Sequence, residues 1–387
     1  MTAASYTPKE MLERLVAFPT VSSVSNLDLI DFVRDYLAGH GVGATIVPSP
    51  EGDKANLFAT VGPMVEGGVV LSGHTDVVPA LESGWTSSPW TRSQRDGRLY
   101  GRGTCDMKGF VALALAAVPR MLESSLRAPV HIALSYDEEV GCKGAPSLVE
   151  RMAAEVPKPR AVIVGEPTMM GLVNGHKGSF SFHTNVTGHA VHSSRIDTGV
   201  SAVMVAARLV TWLADTMAEN RRRASPGNPF LPPYTTLHCG MISGGVAANV
   251  VAAACSFVTD IRAVPPEDPA SFRDRFADFV RSEVEPEMKA IAPEAGVEIV
   301  QRSHVPALDP EPGGEAERLV ADLVAKPGAE VVSYATEAGI FQRAGWSTVV
   351  VGPGDIAQAH QANEYLAVEQ LDAGERFIAA LIARLAS

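Results

Sequence analysis

"LSGHTDVVP", residues 71–79, is the stretch on which the reading of this chain turns. The apolar run Val69–Leu71 gives way to a glycine, and His74 and Asp76 follow two residues apart before Pro79. Side chains two apart on an extended chain point to the same side. An imidazole and a carboxylate placed so at a strand end converge on one object, which a solvated turn does not need. Around it, "NLFATVG", "PVHIALSY" and "AVIVGEP" read as further buried strands rich in β-branched residues. "LDLIDFVRDYLAGHG" reads as a helix closing on Gly39 and Gly41, and "FVALALAAVPRMLES" as a strongly apolar helix. Such alternation predicts an α/β domain, a mostly parallel sheet flanked by helices on both faces.

From Lys177 the pattern changes. "SFSFHTNVTG" alternates with period two, a long helix follows, then two strands, a helix and the strand "GVEIVQR". Strand–helix–strand–strand–helix–strand describes a small α+β, ferredoxin-like sandwich. The parallel-type pattern resumes after Pro306. The organisation expected is therefore one domain of residues 1–176 and 304–387, with a second, residues 177–303, inserted into it. The polar, Pro-rich "RRRASPGNPFLPP" is expected to be an exposed loop of the insert.

A chain of 387 residues exceeds one comfortable core, which agrees with two domains. The formal net charge of −12 argues against nucleic acid or an anionic membrane as partner. The start "MTAASYTPKEMLERL" lacks the apolar core of a secretory signal, and no run of 18 apolar residues occurs. Cys105, Cys142, Cys239 and Cys255 show no CxxC spacing, so four reduced thiols in a cytoplasmic protein are expected.

The chemistry lies in where acids and imidazoles fall. His74 and Asp76 follow one apolar strand, Glu138 and Glu139 another, Glu166 a third and His360 a fourth; Asp106 sits in "GRGTCDMKG" before the apolar helix. Strand ends are where open α/β sheets form their ligand crevice. Histidines and carboxylates with no thiolate make an N/O donor set, which suits Zn²⁺, Co²⁺ or Mn²⁺. With Asp76 and one of the two adjacent glutamates set aside, five such groups exceed the three that one catalytic zinc takes, and suit two metal ions sharing a carboxylate. Asp106, preceded by Gly101 and Gly103, is the natural bridge. Asp76 reads as the group that holds the far ring nitrogen of His74. Adjacent side chains diverge, so one of Glu138 and Glu139 can bind metal while the other serves as general base. "GRGTCD" has Asp106 where a dinucleotide loop needs glycine, and no GxxxxGK[ST] or GxSxG occurs. A non-catalytic metal carrier would need the ligands but not the spare carboxylate.

"SGHTDVVP", "GRGTCDMKG", "DEEVGCKGA", "GEPT", "GHAVHSS" and "QAHQANE" together resemble the signatures of the dinuclear zinc amidohydrolases, from about residue 10 to the C-terminus. The resemblance implies one metal on His74, Asp106 and Glu166 and another on Asp106, Glu139 and His360. It makes Glu138 the base, Asp76 the orienter of His74, and the insert a lid that also forms a homodimer. It gives His192 the oxyanion of the tetrahedral intermediate, reached from a neighbouring subunit. Asn249 and Arg262 would grip the substrate carboxylate, and Lys177 would add a basic group. Ala252 stands where the family usually has proline. Residues 333–366 resemble the acetylornithine deacetylase branch more than the desuccinylases, with Glu337-Ala338-Gly339 where the latter usually show Ser-Asp-Gly. Glu337 is expected to meet the side-chain ammonium of the substrate. The implied activity is metal-dependent hydrolysis of an Nα-acyl-L-amino acid, first Nα-acetyl-L-ornithine, as in arginine biosynthesis. Desuccinylase, aminoacylase and dipeptidase activities are the alternatives within the family.

Overall fold

The computed structural model describes residues 4–81, 83–324 and 327–387. They fall into two compact units. One is drawn from Met1–Gly175, Leu308–Val331 and Thr336–Ser387, the other from His176–Ala307 with Val332–Ala335.

The first unit is built on an eight-stranded sheet. Its spatial order is Ala44–Pro48, Ala55–Val61, Val130–Ser135, Val69–His74, Ala161–Val164, Thr348–Val350, Leu172–His176 and Ala329–Val332. The four strands from Val130–Ser135 to Thr348–Val350 pair in parallel. Antiparallel strands border them on both sides. The sheet is thus mixed, parallel where it matters for the site. Val69–His74 and Val130–Ser135 are buried along their whole length. Burial on both faces is what their unbroken apolar runs demand.

Helices cover the sheet as the sequence patterns require. The first, Pro8–Val16, starts on a capping box in which Thr7 and Glu10 exchange hydrogen bonds. Leu27–Gly39 ends at His40, with Gly41 at a φ of 76°. The apolar segment expected as one helix forms two, Lys108–Ala116 and Val118–Glu123, because Pro119 has no N–H to continue the ladder. Phe377, Ile378, Leu381 and Ile382 of the last helix, Val368–Ala386, join the same core. A small sheet pairs Tyr365–Ala367 with Arg98–Tyr100, tying the segment after His360 to the one before Asp106.

The second unit is a four-stranded antiparallel sheet in the order Thr236–Gly244, Ala254–Ala263, Gly178–Thr187, Gly296–Val305. Helices Ala202–Arg223 and Pro269–Phe279 pack on it through Leu209, Leu213, Phe272 and Phe276 against Phe180, Phe182 and Phe257. This is the ferredoxin-like arrangement. The segment expected as an exposed loop is more ordered than that. Arg221, Arg222 and Arg223 form the last turn of a helix, where cations meet the negative dipole end, and Phe230 is buried. The four cysteines are free. No helix among the described residues is long and apolar enough to cross a membrane.

Candidate metal centre

Parallel strands bring their carboxyl ends to one edge, and the expected residues gather there. His74 is the last residue of its strand. Glu138 and Glu139 follow Val130–Ser135, Glu166 follows Ala161–Val164, and His360 lies in the loop after Thr348–Val350. His74 Nε2 stands 3.1 Å from Asp106 Oδ1 and 3.7 Å from Glu166 Oε1. His360 Nε2 stands 3.2 Å from Asp106 Oδ2 and 2.9 Å from Glu139 Oε2. Asp106 therefore faces both imidazoles, one through each oxygen. Ligand atoms of His74, Asp106 and Glu139, and likewise of His74, Glu138 and Glu166, all lie within 4.8 Å of one another.

Asp76 organises the site from behind. His74 Nδ1 lies 2.9 Å from the backbone carbonyl of Asp76 and 3.6 Å from its carboxylate, so the carbonyl holds the ring more closely than the expected carboxylate. That carboxylate instead accepts the backbone N–H groups of Glu138 and Glu139, at 3.0 and 3.3 Å, and the Ser22 hydroxyl at 2.7 Å. One acidic side chain thereby fixes the turn that presents both glutamates.

The electrostatics ask for cations. Burial pushes Glu138 up to about 8 against the pull of His74, and Glu139, Asp106 and Asp76 add to the rise. Burial, with Asp106 next, also raises Glu166 and Glu139. Asp106 goes the other way: burial resists its ionisation, but hydrogen bonds from His360 and His74 outweigh it. His360 is raised to about 10 by its bonds to Asp106 and Glu139. Oε1 of Glu139 is buried with no hydrogen-bond partner. A buried carboxylate oxygen without a partner is costly, and two imidazoles cannot offset this many clustered acids. Two divalent ions held among these groups would answer both needs, so the residues present fit the two metals. His74, Asp106 and Glu166 would hold one, and Asp106, Glu139 and His360 the other.

Two expectations give way to other roles. Glu337 is fully buried, and its oxygens accept the hydroxyls of Ser72 at 2.5 Å and Ser135 at 2.7 Å. Both oxygens are engaged within the fold, so the carboxylate is not offered to a substrate ammonium. Lys177 is likewise buried, its ammonium donating to the carbonyls of Pro232 at 2.7 Å and Tyr234 at 3.1 Å. It anchors the loop that follows the long helix. Its chain neighbour in role, Arg262, is half-exposed, with Nε 3.0 Å from Asp260. His192 and Asn249 are brought together: Ser193 N–H donates to the Asn249 carbonyl at 3.0 Å, and His192 bridges to Val250. Several supporting groups escaped the sequence reading. Lys54 lies 2.5 Å from Asp137, beside the glutamate pair, and the Cys142 thiol donates to Glu138 at 3.3 Å. Glu364, inside the quoted "QAHQANE", is buried as well.

The Peptidase family M20/M25/M40 matches residues 70–384. An acetylornithine deacetylase of Myxococcus xanthus is 36% identical over 377 residues, 96% of each chain. One from Proteus mirabilis (strain HI4320) is 36% identical over 370 residues, 92% of this chain and 91% of that protein. Among solved structures, an M20 family metallo-carboxypeptidase from Sulfolobus solfataricus superposes with a TM-score of 0.81 at 15% identity, covering 98% of this chain and 99% of that one. A tripeptidase from Staphylococcus aureus gives 0.76 at 17% identity, covering 100% of both. With six signature stretches in order and a family match over most of its length, this chain belongs to the M20/M25/M40 peptidase family.

Proposed function

We propose that the chain is a metal-dependent amidohydrolase that removes the acyl group of an Nα-acyl-L-amino acid, with Nα-acetyl-L-ornithine as substrate. The observation that carries it is the arrangement at the strand ends. Asp106 stands between His74 with Glu166 and His360 with Glu139, while Glu138, close to His74 and Glu166, serves as the acid–base group. The deacetylase relatives support the substrate. Two Zn²⁺ ions, on the two ligand sets named above, suit this N/O set; Co²⁺ and Mn²⁺ are the alternatives.

Ions held there supply Lewis acidity, making water acidic and polarising the amide carbonyl. The chain's own residues do the rest. Glu138, aligned through its backbone N–H on Asp76, accepts the proton of the attacking water. It then returns that proton to the leaving amine nitrogen as the C–N bond breaks. His192 donates to the oxyanion of the tetrahedral carbon. Asn249 and Arg262 bind the substrate carboxylate.

The second unit supports a homodimer in which these last groups come from two chains. His192 and Asn249 lie beyond the start of the strand Ala254–Ala263, and Arg262 lies near its end. At about 3.3 Å per residue that separates them by roughly 25 Å, too far for one chain's groups to grip a single small substrate. The strand Thr236–Gly244 is an unpaired sheet edge exposing Met241 and Ile242, with exposed Val246 just beyond it. An apolar edge of this kind is covered in stable proteins, and a second copy covers it here. We place the enzyme in the cytoplasm.

A side-by-side assay of acetyl-ornithine, acetyl-citrulline, succinyl-diaminopimelate and acetyl-methionine tests the substrate. Acetyl-ornithine should give the highest kcat/KM. A higher value for the succinyl substrate or acetyl-methionine would overturn that choice, and insensitivity to chelator would overturn the metal mechanism.

A further inference from the structure

The loop carrying Asp106 and the segment carrying His360 are joined by a buried carboxylate to which nothing above gives a role. Glu364 is 2% exposed. One oxygen accepts the Arg102 guanidinium at 2.7 Å and the Gly103 N–H at 3.0 Å; the other accepts the N–H groups of Cys105 at 2.9 Å and Asp106 at 3.1 Å. The Glu364 carbonyl takes a further N–H, from Gly101, at 3.1 Å. A fold that needed only to bury this stretch would use an apolar residue, since a buried carboxylate must be satisfied by several donors at a desolvation cost. Here every donor comes from the six-residue loop that ends on Asp106. The acceptor lies four residues from His360, which sits at a φ of 61°.

We propose that Glu364 is a positioning residue that sets the distance between Asp106 and His360, and so the geometry of the metal position they share. The inference rests on the two-metal reading of the site. Asp106 has two neighbouring positions to serve, and its backbone N–H is held by this carboxylate. His74 and Glu166 lie on separate strand ends that Glu364 does not touch, so the position they form depends on it less. An amide in place of the carboxylate keeps the size but presents an NH₂ group to backbone N–H donors. That change loosens the loop without leaving a hole.

The test is a stepwise metal titration of chelator-treated full-length protein with Zn²⁺ and Co²⁺, following stoichiometry and the Co²⁺ absorption spectrum. Wild-type protein should take two equivalents. E364Q should keep the first and bind the second roughly 10- to 100-fold more weakly, the range seen when a group behind a ligand is lost. The thermal midpoint is recorded alongside. A purely structural role would lower that midpoint and weaken both equivalents alike, which would overturn the proposal, as would two equivalents with wild-type affinity. If E364Q does not fold, Arg102→Met, which removes one of the four donors and leaves the carboxylate, is titrated in its place with the same selective weakening expected. A wild-type protein that takes fewer than two equivalents refutes the two-metal reading itself, an outcome distinct from failure of the variant.

Discussion

At the residue scale, the candidate site shows how little of a side chain's role its type decides. Glu138, half-buried, and Glu337, fully buried, are both glutamates close to His74, and desolvation raises both. Glu138 has one thiol donor and a backbone held by Asp76, so its carboxylate is available for chemistry. Glu337 has two hydroxyl donors from strands carrying His74 and leading to Glu138, so it braces the sheet edge. E138Q should lower kcat by about 10²- to 10⁴-fold while metal content, read by elemental analysis, stays at the wild-type level; an active variant would remove Glu138 as the base. E337A should behave differently. It strands the Ser72 and Ser135 hydroxyls and leaves a void, at a cost of about 2–4 kcal/mol in unfolding free energy. Its losses on acetyl-ornithine and acetyl-methionine should be equal. A selective loss on acetyl-ornithine would return Glu337 to the substrate.

At the scale of elements, the strand Ala254–Ala263 makes the strongest demand. If His192 serves the neighbouring subunit's site, H192A and E138Q are each crippled in their own homodimers but complement each other. A mixed dimer has one site with Glu138 and a partner's His192, so co-expression should restore about a quarter of wild-type turnover for a symmetric two-fold pair. No recovery, with mixed dimers shown by mass spectrometry, would place His192 in its own subunit's site. Such placements were partly legible in the chain. The central strands announce themselves because burial on both faces makes them continuous apolar runs, and the acids and imidazoles directly after those runs could be picked out. The partners of Lys177, Glu337 and Glu364 could not. Each is decided by contacts far along the chain: Pro232 and Tyr234, Ser72 and Ser135, or the Gly101–Asp106 loop. Period and local spacing carry no trace of such pairings. The break at Pro119 was visible in the sequence, yet the apolar run on either side outweighed it.

At the scale of the whole molecule, each unit carries a buried neutral histidine outside the metal centre. His131 lies in the large sheet of the first unit, with Nδ1 2.9 Å from the Thr60 hydroxyl and Nε2 buried without a partner. His176, which ends the strand Leu172–His176 and opens the second unit, donates from Nδ1 to the Lys177 carbonyl at 2.9 Å, and its Nε2 is buried without a partner too. Burial lowers each to about 4, against about 6.5 in an unfolded chain. Between those values the unfolded state binds more protons than the folded one, so stability falls as the pH falls. The contribution is fully present above pH 6.5 and is lost as the pH approaches 4. Each histidine accounts for on the order of 3 kcal/mol over that window. H131Q keeps a partner for Thr60 but does not titrate, so the first unit should lose less stability than wild type on going from pH 7 to pH 5. Acid release of metal affects both proteins alike, which makes the difference between their slopes the readout. Hydrogen exchange of strand amides in each unit follows it: H131Q should flatten the acid response of the first unit and leave that of the second unchanged. Equal slopes for wild type and variant would show that His131 is not an acid trigger, and a flattened response in both units would show that the two unfold as one.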